Sequence, residues 1–541
     1  MNRKLVAAGA VLAAALGLSI PAGVTAGPAT GAAGASGAHT GQTLIGGYKH
    51  LVVIYEENHS FDNLYGSWGA VDGQHVDGIG DSTALQRQQV DQNGTAYGCL
   101  LQNDPNLTSP PQPVTCTDTT HQITSNFTND IFTIDDYIKP EDTTCPDGKP
   151  GGNPGGCTRD LVHRFYQEKY QLDGGRQDRY PTGSDAVGLT QGVYDTRSLP
   201  IYEYLHSKGA PKYVLADHFF QAANGGSFLN HQWLIAARTP LDTSAVDPAH
   251  SGQLTDGAKY SLLDSNGMVT AYPLYTPTGP VVDGQLTRAC ASATVDDYDN
   301  ACGRFAVNTI QPSSWPHSSS PVRLPLIDDS VYPNIGDRLS DAGISWNWYS
   351  GGWDAAVAGT PGSLFQYHHQ PFNYFADYAP GQPGRAHLRD ETEFIASAEA
   401  GTLPTVSFVK PYGQENEHPG YASEPNGSTH LVDLIRTIMA GDTAGNTLVV
   451  VTYDEFGGQW DHVPPPGLGT DGVHDAWGPG TRIPALVISR SFTRSGVDHT
   501  VYDTTSILAT IEHSFGLAPL SSRDAQVADL ANAVALGTPR G

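Results

Sequence analysis

Apolar and polar positions along this chain form two kinds of pattern, and the first kind predicts strands. The segments HLVVIYEEN (50–58) and TLVVVTYDEFGG (447–458) each contain a continuous apolar run rich in β-branched residues. Such a run is typical of a strand that is covered on both faces of a sheet. The segments PTVSFVK (404–410) and IPALVIS (483–489) predict two further strands.

The second kind of pattern predicts helices. In STHLVDLIRTIMAG (428–441), with Ser428 or Thr429 as N-cap and Gly441 as the end, apolar residues recur at helical spacing. These residues are Leu431, Leu434, Ile435 and Ile438. The segment TTSILATIEHSFGL (504–517) predicts another helix, packed against the sheet. Strands that alternate with helices predict an α/β fold, with a mostly parallel sheet between helix layers.

Two long stretches, at about 67–160 and 240–330, lack both patterns. We expect loops and small subdomains there, around the rim of an active site, because long ordered loops are usually functional. They contain all six cysteines, and an even number of cysteines in an exported chain indicates disulfides. Six cysteines allow 15 connectivities. We expect pairing between sequence neighbours: Cys99–Cys116, Cys145–Cys157 and Cys290–Cys302.

The amino terminus predicts export. A basic start precedes the uncharged run LVAAGAVLAAALGLSI, and the tripeptide that ends at Ala26 fits a small-x-small cleavage signal. We expect a signal peptide at 1–26, cleaved after Ala26, and a flexible Gly/Ala/Ser-rich segment at 27–46. No repeat or linker divides the remainder. This predicts one catalytic domain at 47–541, in a secreted protein without a stable membrane anchor.

The net charge of the chain restricts the classes of partner that it is expected to bind. The chain of 541 residues has a formal net charge of −27. This argues against nucleic acid, which recruits Lys and Arg surfaces, and against adhesion to anionic membranes. A phosphate ester is compatible with such a chain where a metal ion or local cations invert the field within the site.

Polar side chains directly follow two of the predicted strands. Glu57 and Asn58 follow the first, and Asp454 and Glu455 follow the later one. Open α/β sheets bind ligands beyond the carboxyl ends of their strands. Carboxylate and amide oxygens that converge there would form a divalent metal site. A solvated loop at each strand end is the alternative.

Ser227 is a candidate nucleophile. It follows two glycines and precedes the helical-looking segment FLNHQWLI, so it lies where the N–H groups of a helix N-terminus favour an anion. The segment lacks the GxSxG pattern of a nucleophile elbow, and no base is adjacent. Metal coordination is therefore the expected way to activate the hydroxyl, with a simple helix cap as the alternative.

Several motifs resemble the bacterial phosphoesterase family that includes secreted acid phosphatases and nonspecific phospholipases C. In chain order they are EENHSFDNLYG, HRFYQEKYQLDGGRQDRY (163–180), ADHFFQAANGGSFLNHQWLI, SWNWYSGGW (345–353), FQYHHQPFNYF (365–375), ENEHPGY (415–421) and VVTYDEFGGQWDHVPPP. The resemblance covers roughly 48–520 and implies an alkaline-phosphatase-like α/β core. The stretch GGSFLNHQ is similar to the acid-phosphatase branch.

The resemblance also implies roles for individual residues. The implied ligands of one divalent ion, which would be Ca, Zn, Fe or Mn, are Glu57, Asn58, Asp454, Glu455 and Ser227. Ser227 is at the same time the implied nucleophile. The implied histidines of the phosphate pocket are His163, His369 and His418, with His368 as the alternative to His369.

The implied reaction is hydrolysis through a phosphoseryl intermediate on Ser227. One of the three histidines would protonate the leaving alcohol, and a need for charged imidazole, which titrates near pH ~6.5, would favour acidic conditions. The expected function is a secreted acid phosphatase that acts on phosphomonoesters. The first alternative is a phospholipase C acting on phospholipid headgroups, in which the Trp and Tyr residues of SWNWYSGGW would contact an acyl glycerol. The second is a secreted protein that binds phosphate ligands without turnover.

Overall fold

The structure of the chain is a computed structural model. It describes residues 43–101, 114–136, 160–184, 187–243, 286–291, 295–307, 313, 315–317 and 325–538. These residues belong to one compact unit, His39–Gly541. The predicted signal peptide, most of the predicted flexible segment and the predicted Cys145–Cys157 bridge lie outside the described residues.

The strands of the described chain differ widely in length. They are β1 His50–Glu56, β2 Cys99–Leu100, β3 Cys116–Asp118, β4 Ile123–Ser125, β5 Phe127–Thr128, β6 Phe132–Thr133, β7 Gly192–Val193, β8 Lys212–Ala216, β9 Phe219–Phe220, β10 Trp346–Ser350, β11 Leu388–Asp390, β12 Val406–Lys410, β13 Thr447–Tyr453, β14 Ala485–Ser489, β15 Gly496–Asp498 and β16 Tyr502–Asp503.

Eight strands form one central sheet in the order β11-β10-β12-β1-β13-β14-β8-β15. All neighbours are parallel except β14, which runs antiparallel to both β13 and β8. Successive residues of β1 and β13 are buried along almost their whole length, so helices and loops cover both faces of the sheet centre. The predicted α/β fold with a mostly parallel sheet is therefore confirmed.

Helices connect and cover these strands. The α-helices are α1 Phe61–Leu64, α2 Ala84–Arg87, α3 Phe165–Leu172, α4 Pro200–Leu205, α5 Ser227–Ala236, α6 Ile335–Asp341, α7 Trp353–Val357, α8 Glu391–Glu399, α9 Glu424–Ala440, α10 Thr505–Phe515 and α11 Ala531–Gly537. Helix α9 packs on α4 and α8, and α5 packs on α6 and α10. No helix within the described ranges combines the length and the apolar character that a membrane span needs.

The prediction of a helix at 428–441 is correct for the apolar face and for the end of the helix, but it places the first residue too late in the chain. Gly441 caps α9, whereas the N-cap is Ser423, whose hydroxyl accepts a hydrogen bond from the backbone N–H of Asn426. Neither Ser428 nor Thr429 caps the helix, because Pro425 in the first turn needs no backbone N–H partner and lets the helix begin a turn earlier.

The segment SWNWYSGGW is a core strand. Trp346, Trp348 and Tyr349 lie in β10, and each is at most 1 % exposed. The expectation that these rings contact an acyl glycerol is therefore wrong, because they pack inside the sheet. Trp348, for instance, stacks on Phe408 of β12 with ring centroids 5.4 Å apart.

Two predicted disulfides are present. Cys99 pairs with Cys116, with a Cα–Cα distance of 5.9 Å, and Cys290 pairs with Cys302 at 5.0 Å. Both distances are usual for disulfides. The bridges close short loops within the two long stretches that lack periodicity.

Candidate active site

The carboxyl ends of β1 and β13 bring the four predicted acid and amide residues together. The strands pair in register from His50 with Thr447 to Glu56 with Tyr453. Beyond that point the backbone N–H of Asn58 donates to Asp454 Oδ1 at 3.1 Å. All four side chains are buried, with at most 1 % exposed.

An unusual backbone shape lets these two loops meet. Asn58 has φ +58°, in the left-handed region that a non-glycine residue adopts rarely. Gly457 lies directly opposite, and a Cβ there would come within 2.1 Å of the Asn58 carbonyl oxygen. Only glycine fits this close approach, so the GG pair after Glu455 serves the packing of the site.

Ser227 is the first residue of α5 and faces the same cluster. Its Oγ lies 3.5 Å from Glu57 Oε2, 3.4 Å from Asn58 Oδ1 and 3.5 Å from Glu455 Oε1. A serine hydroxyl has one proton and can donate to only one of these three acceptors. The Glu57, Asn58 and Glu455 oxygens thus converge on one hydroxyl.

Buried polar contacts hold the loop before Ser227. The Glu168 carboxylate accepts hydrogen bonds from the backbone N–H of Gly225 at 2.5 Å and of Thr481 at 2.8 Å. The Asn230 side chain, one turn into α5, accepts from the Ala223 N–H at 3.0 Å and donates to the Ala223 carbonyl at 3.0 Å. These contacts fix the position of the serine relative to the sheet.

His418 orients the amide of Asn58. His418 Nδ1 donates to the Pro419 carbonyl at 2.7 Å, which leaves Nε2 as an acceptor. The Asn58 Nδ2 group donates to that Nε2 at 3.0 Å. Asn58 Oδ1 is thereby turned towards Ser227. His418 was predicted to line the phosphate pocket, and the structure places it in contact with a predicted metal ligand.

His163 faces the cluster from the opposite loop. Its Nδ1 lies 2.5 Å from the Leu161 carbonyl, and its Nε2 lies 3.6 Å from Glu455 Oε1. Nε2 is therefore the nitrogen that faces the site. The His163 and His418 rings meet edge to face, with centroids 6.3 Å apart.

His369 is the member of the His368–His369 pair that reaches the cluster. Its Nε2 lies 2.8 Å from Glu57 Oε1. Its ring stacks on His231 of α5, with centroids 5.3 Å apart and an angle of 5° between the planes. His231 Nδ1 in turn donates to the Ser227 carbonyl at 2.8 Å.

Lys410, the last residue of β12, completes the cluster. Its ammonium lies 2.6 Å from Glu57 Oε1 and donates to the carbonyls of Tyr55 at 2.8 Å and Glu56 at 3.1 Å. The side chain is fully buried. Glu57 therefore turns one oxygen to Lys410 and His369, and the other to Ser227.

Burial and charge shift the protonation of the acids in opposite directions. Burial, together with the charge of Glu57, raises the pKa of Asp454 to about 8. Burial and the charge of Asp454 also raise the pKa of Glu455. Burial alone would raise the pKa of Glu57, but His369 and Lys410 outweigh it and hold that pKa well below its usual range.

Burial also lowers the pKa of His369 and of His418. Burial is the largest cause for both. The charge of Glu57 opposes it at His369, and the charges of Asp160 and Glu57 oppose it at His418, in each case only in part.

The residues present suit a divalent cation. Asp454 Oδ2 is buried and has no hydrogen-bond partner among the described residues. It belongs to a set of carboxylate, amide and hydroxyl oxygens that divalent ions prefer. A bound cation would also offset the repulsion that raises the pKa of Asp454 and Glu455. Glu57, His231 and His369 form a second candidate group, with one ligand atom from each within 4.8 Å of the others.

Sequence reasoning missed three residues of this cluster. Lys410 carries the same signal as Glu57, since it is a charged residue at the carboxyl end of a buried strand. His231 lies one helical turn after Ser227, on the same face of α5. Glu168 gives no such signal, because its contacts with Gly225 and Thr481 depend on the tertiary fold.

The chain belongs to the Phosphoesterase family, whose model matches residues 48–518. The match spans the whole central sheet and every residue of the cluster. This confirms the family resemblance on which the site roles depend.

The chain is also similar to curated proteins named as phospholipases. "Phospholipase C B" of Mycobacterium tuberculosis is 30 % identical over 423 residues, which are 71 % of this chain and 65 % of that protein. This chain thus covers slightly less than two thirds of that relative's length. "Non-hemolytic phospholipase C" of Burkholderia pseudomallei is 30 % identical over 228 residues, 34 % of this chain and 32 % of that protein.

Among solved structures, similarity extends to a protein in the alkaline phosphatase superfamily from Vibrio parahaemolyticus. Its sequence identity is 16 %, its coverage is 36 % of this chain and 50 % of that chain, and its TM-score is 0.21. A score this low supports no argument about function. The fold class rests on the topology of the sheet.

Proposed function

We propose that this protein is a metal-dependent hydrolase of phosphoric esters with Ser227 as its nucleophile. The observation that carries the proposal is the convergence of Ser227 Oγ with oxygens of Glu57, Asn58 and Glu455 at 3.4–3.5 Å. A nucleophile and a set of metal-ligating oxygens in contact suit in-line displacement at phosphorus.

The phosphoryl group is transferred from the leaving alcohol to water in two steps, through Ser227. Ser227 Oγ forms a bond to phosphorus, and the bond from phosphorus to the leaving alkoxide breaks. Water then attacks the same phosphorus, the bond to Ser227 Oγ breaks, and the serine regains its proton. Glu57, Asn58, Asp454 and Glu455 would hold one divalent ion, which when bound stabilises charge on the phosphoryl oxygens and lowers the pKa of the serine hydroxyl.

His163 is the residue that we propose to move the proton. Its Nε2 and the Ser227 hydroxyl both lie within 3.6 Å of Glu455 Oε1. The proton released from Ser227 passes to His163 Nε2 and from there to the leaving alkoxide. His369 and His418 act instead by positioning Glu57 and Asn58, since each of their Nε2 atoms contacts one of these side chains.

We propose a phosphodiester of the phospholipase C type as the substrate. The motif GGSFLNHQ favours phosphomonoesters, whereas the names of the curated relatives favour phospholipase C. The relatives match over much longer stretches than this motif, so their substrate class has the stronger support. Phosphomonoester hydrolysis is the second candidate, because the serine nucleophile itself is compatible with either ester.

We also propose that the protein is secreted. The two disulfides suit an oxidising compartment, as the signal-peptide pattern at the amino terminus does. Sequencing the amino terminus of protein collected from the culture medium tests cleavage after Ala26.

The substrate class is tested with two chromogenic esters side by side. The purified mature protein is assayed on p-nitrophenyl phosphorylcholine and p-nitrophenyl phosphate, with and without chelator. We expect faster turnover of the diester, loss of turnover with chelator, and its loss in Ser227→Ala. Ser207→Ala, an exposed serine between α4 and β8, is the matched control and should behave as wild type.

Each other outcome has a definite meaning. Preferred turnover of the monoester would replace the proposed substrate by phosphomonoesters. Binding of phosphate esters without turnover, unchanged in Ser227→Ala, would identify a non-catalytic binding protein. Full activity in chelator would contradict the metal requirement.

A further inference from the structure

Beside the proposed metal site lies a second group of potential metal ligands. Glu57, His231 and His369 each offer one ligand atom, and these atoms all lie within 4.8 Å of one another; all three residues are buried. One carboxylate and two imidazoles suit zinc and other borderline divalent ions. Glu57 belongs to both groups, with its other oxygen facing Ser227.

His231 is prepared to act as a ligand. Its Nδ1 donates to the Ser227 carbonyl at 2.8 Å, so its Nε2 is left with a free lone pair. That Nε2 is fully buried and has no hydrogen-bond partner among the described residues. A buried acceptor without a partner is costly unless something fills the position.

Lys410 lies against a Glu57 oxygen that a second metal ion would need. Its ammonium lies 2.6 Å from Glu57 Oε1, and its other donors reach the carbonyls of Tyr55 and Glu56. All three of its protons therefore have acceptors, and the charge is held in one place. A metal ion on Glu57 Oε1 at the usual ~2.1 Å would lie within about 5 Å of this ammonium, with like charges in a buried setting.

We propose that Lys410 is a fixed internal cation that keeps a second metal ion out of the Glu57–His231–His369 group. The site thereby loads one ion, and Glu57 presents a single oxygen to it. This inference rests on the proposed metal site, and it adds that the number of ions is set by Lys410.

The test is the metal stoichiometry of the purified protein. Metal-free protein is titrated with Zn²⁺ in a calorimeter, and the dialysed samples are checked by elemental analysis. We expect one buried ion per chain for the wild type and two for Lys410→Met, which keeps the length of the stem without the charge. Lys410→Arg keeps the charge and should bind one.

A double variant locates the second ion. In Lys410→Met, the further change His231→Ala should return the count from two to one, because it removes a ligand of the new site. Surface ligands are the same in all these variants, so only differences between them are interpreted.

His231→Ala alone provides a test that does not need Lys410→Met to fold. With Lys410 in place His231 is no ligand, so this variant should still bind one buried ion, although loss of the hydrogen bond to the Ser227 carbonyl would weaken its Kd. Loss of the ion would overturn the proposal.

The outcomes also separate this inference from the proposed function. One ion in both wild type and folded Lys410→Met would overturn the exclusion by Lys410 and leave the mononuclear phosphoesterase intact. Two ions in the wild type would also overturn the exclusion by Lys410. No ion in the wild type would overturn both this exclusion and the proposed metal-dependent function.

Discussion

A buried arginine, Arg482, ties together the two loops that carry the candidate metal ligands. It donates to Asp62 Oδ1 at 3.0 Å and to Asp461 Oδ1 at 3.1 Å. Asp62 lies in α1, directly after the Glu57–Asn58 loop, and Asp461 lies in the loop that follows Glu455. Arg482 also donates to the carbonyls of Asp77 at 2.7 Å and Asp217 at 2.9 Å.

Arg482→Met should strongly destabilise the fold. The side chain is fully buried, so its removal leaves the buried carboxylate of Asp461 without its paired cation and leaves Asp62 with His462 alone. Removal of one partner from a buried ion pair costs ~3–5 kcal/mol. The lost bonds to two carbonyls add to this cost, while the methionine retains part of the packing on the Phe61 ring, which lies 4.2 Å from the guanidinium carbon.

Urea unfolding followed by tryptophan fluorescence measures the effect. We expect the free energy of unfolding to fall by about 3–5 kcal/mol, with turnover at the site reduced in parallel. Arg436→Met is the matched control, because Arg436 pairs with Asp433 at the surface, where the two side chains are 59 % and 63 % exposed, and its loss should cost below ~1 kcal/mol. A loss below ~1 kcal/mol for Arg482→Met would mean instead that the buried carboxylates do not depend on the arginine.

Three further predictions follow from buried groups around the site. Glu168→Ala should reduce turnover far more than the exposed control Glu203→Ala, since it frees the Gly225 and Thr481 N–H groups that hold the loop before Ser227; equal rates in the two variants would contradict this. His418→Ala should weaken metal affinity by about 10–100-fold, measured by calorimetry, because Asn58 loses the acceptor that orients it; unchanged affinity would contradict that role. Burial would lower the pKa of His462, but Asp62 and Asp77 outweigh it and raise that pKa to about 10. The stability gained from the charged ring is therefore complete below pH ~6.5 and lost as pH rises towards 10. Over that range the wild type should lose up to about 5 kcal/mol more free energy of unfolding than His462→Gln, and parallel unfolding curves would contradict this.

The parts of the fold that the sequence predicted are those with strong local signals. The runs in β1 and β13 are continuous and apolar, which only strands buried on both faces tolerate. The strand Trp346–Ser350 was missed because its alternating aromatic and polar residues resemble an exposed binding motif, and only the sheet shows that the rings are buried. The start of α9 was misplaced because Pro425, Asn426 and Gly427 look like a loop, although Pro425 suits a first helical turn.

The residues of the site also divide into those that the sequence predicted and those that only the fold reveals. Glu57, Asn58, Asp454, Glu455 and Ser227 were selected by position at strand ends and by family motifs, and the structure brings them together. The different contacts of the histidines were beyond reach. His163 and His418 both contact a backbone carbonyl through Nδ1, and only the fold shows which side chain each Nε2 faces. The sequence also could not predict that β14 runs antiparallel to its neighbours, because a buried strand has the same hydrophobic pattern in either direction.

The most direct test of the central claim is to trap the covalent intermediate on Ser227. The protein is mixed with p-nitrophenyl phosphorylcholine, quenched in acid at short times and digested, and the peptide that contains Ser227 is examined by mass spectrometry. We expect a phosphorylcholine adduct on Ser227 that forms before steady state, is absent in Ser227→Ala and is unaffected in Ser207→Ala. Full turnover by Ser227→Ala, or a covalent adduct on another residue, would contradict it.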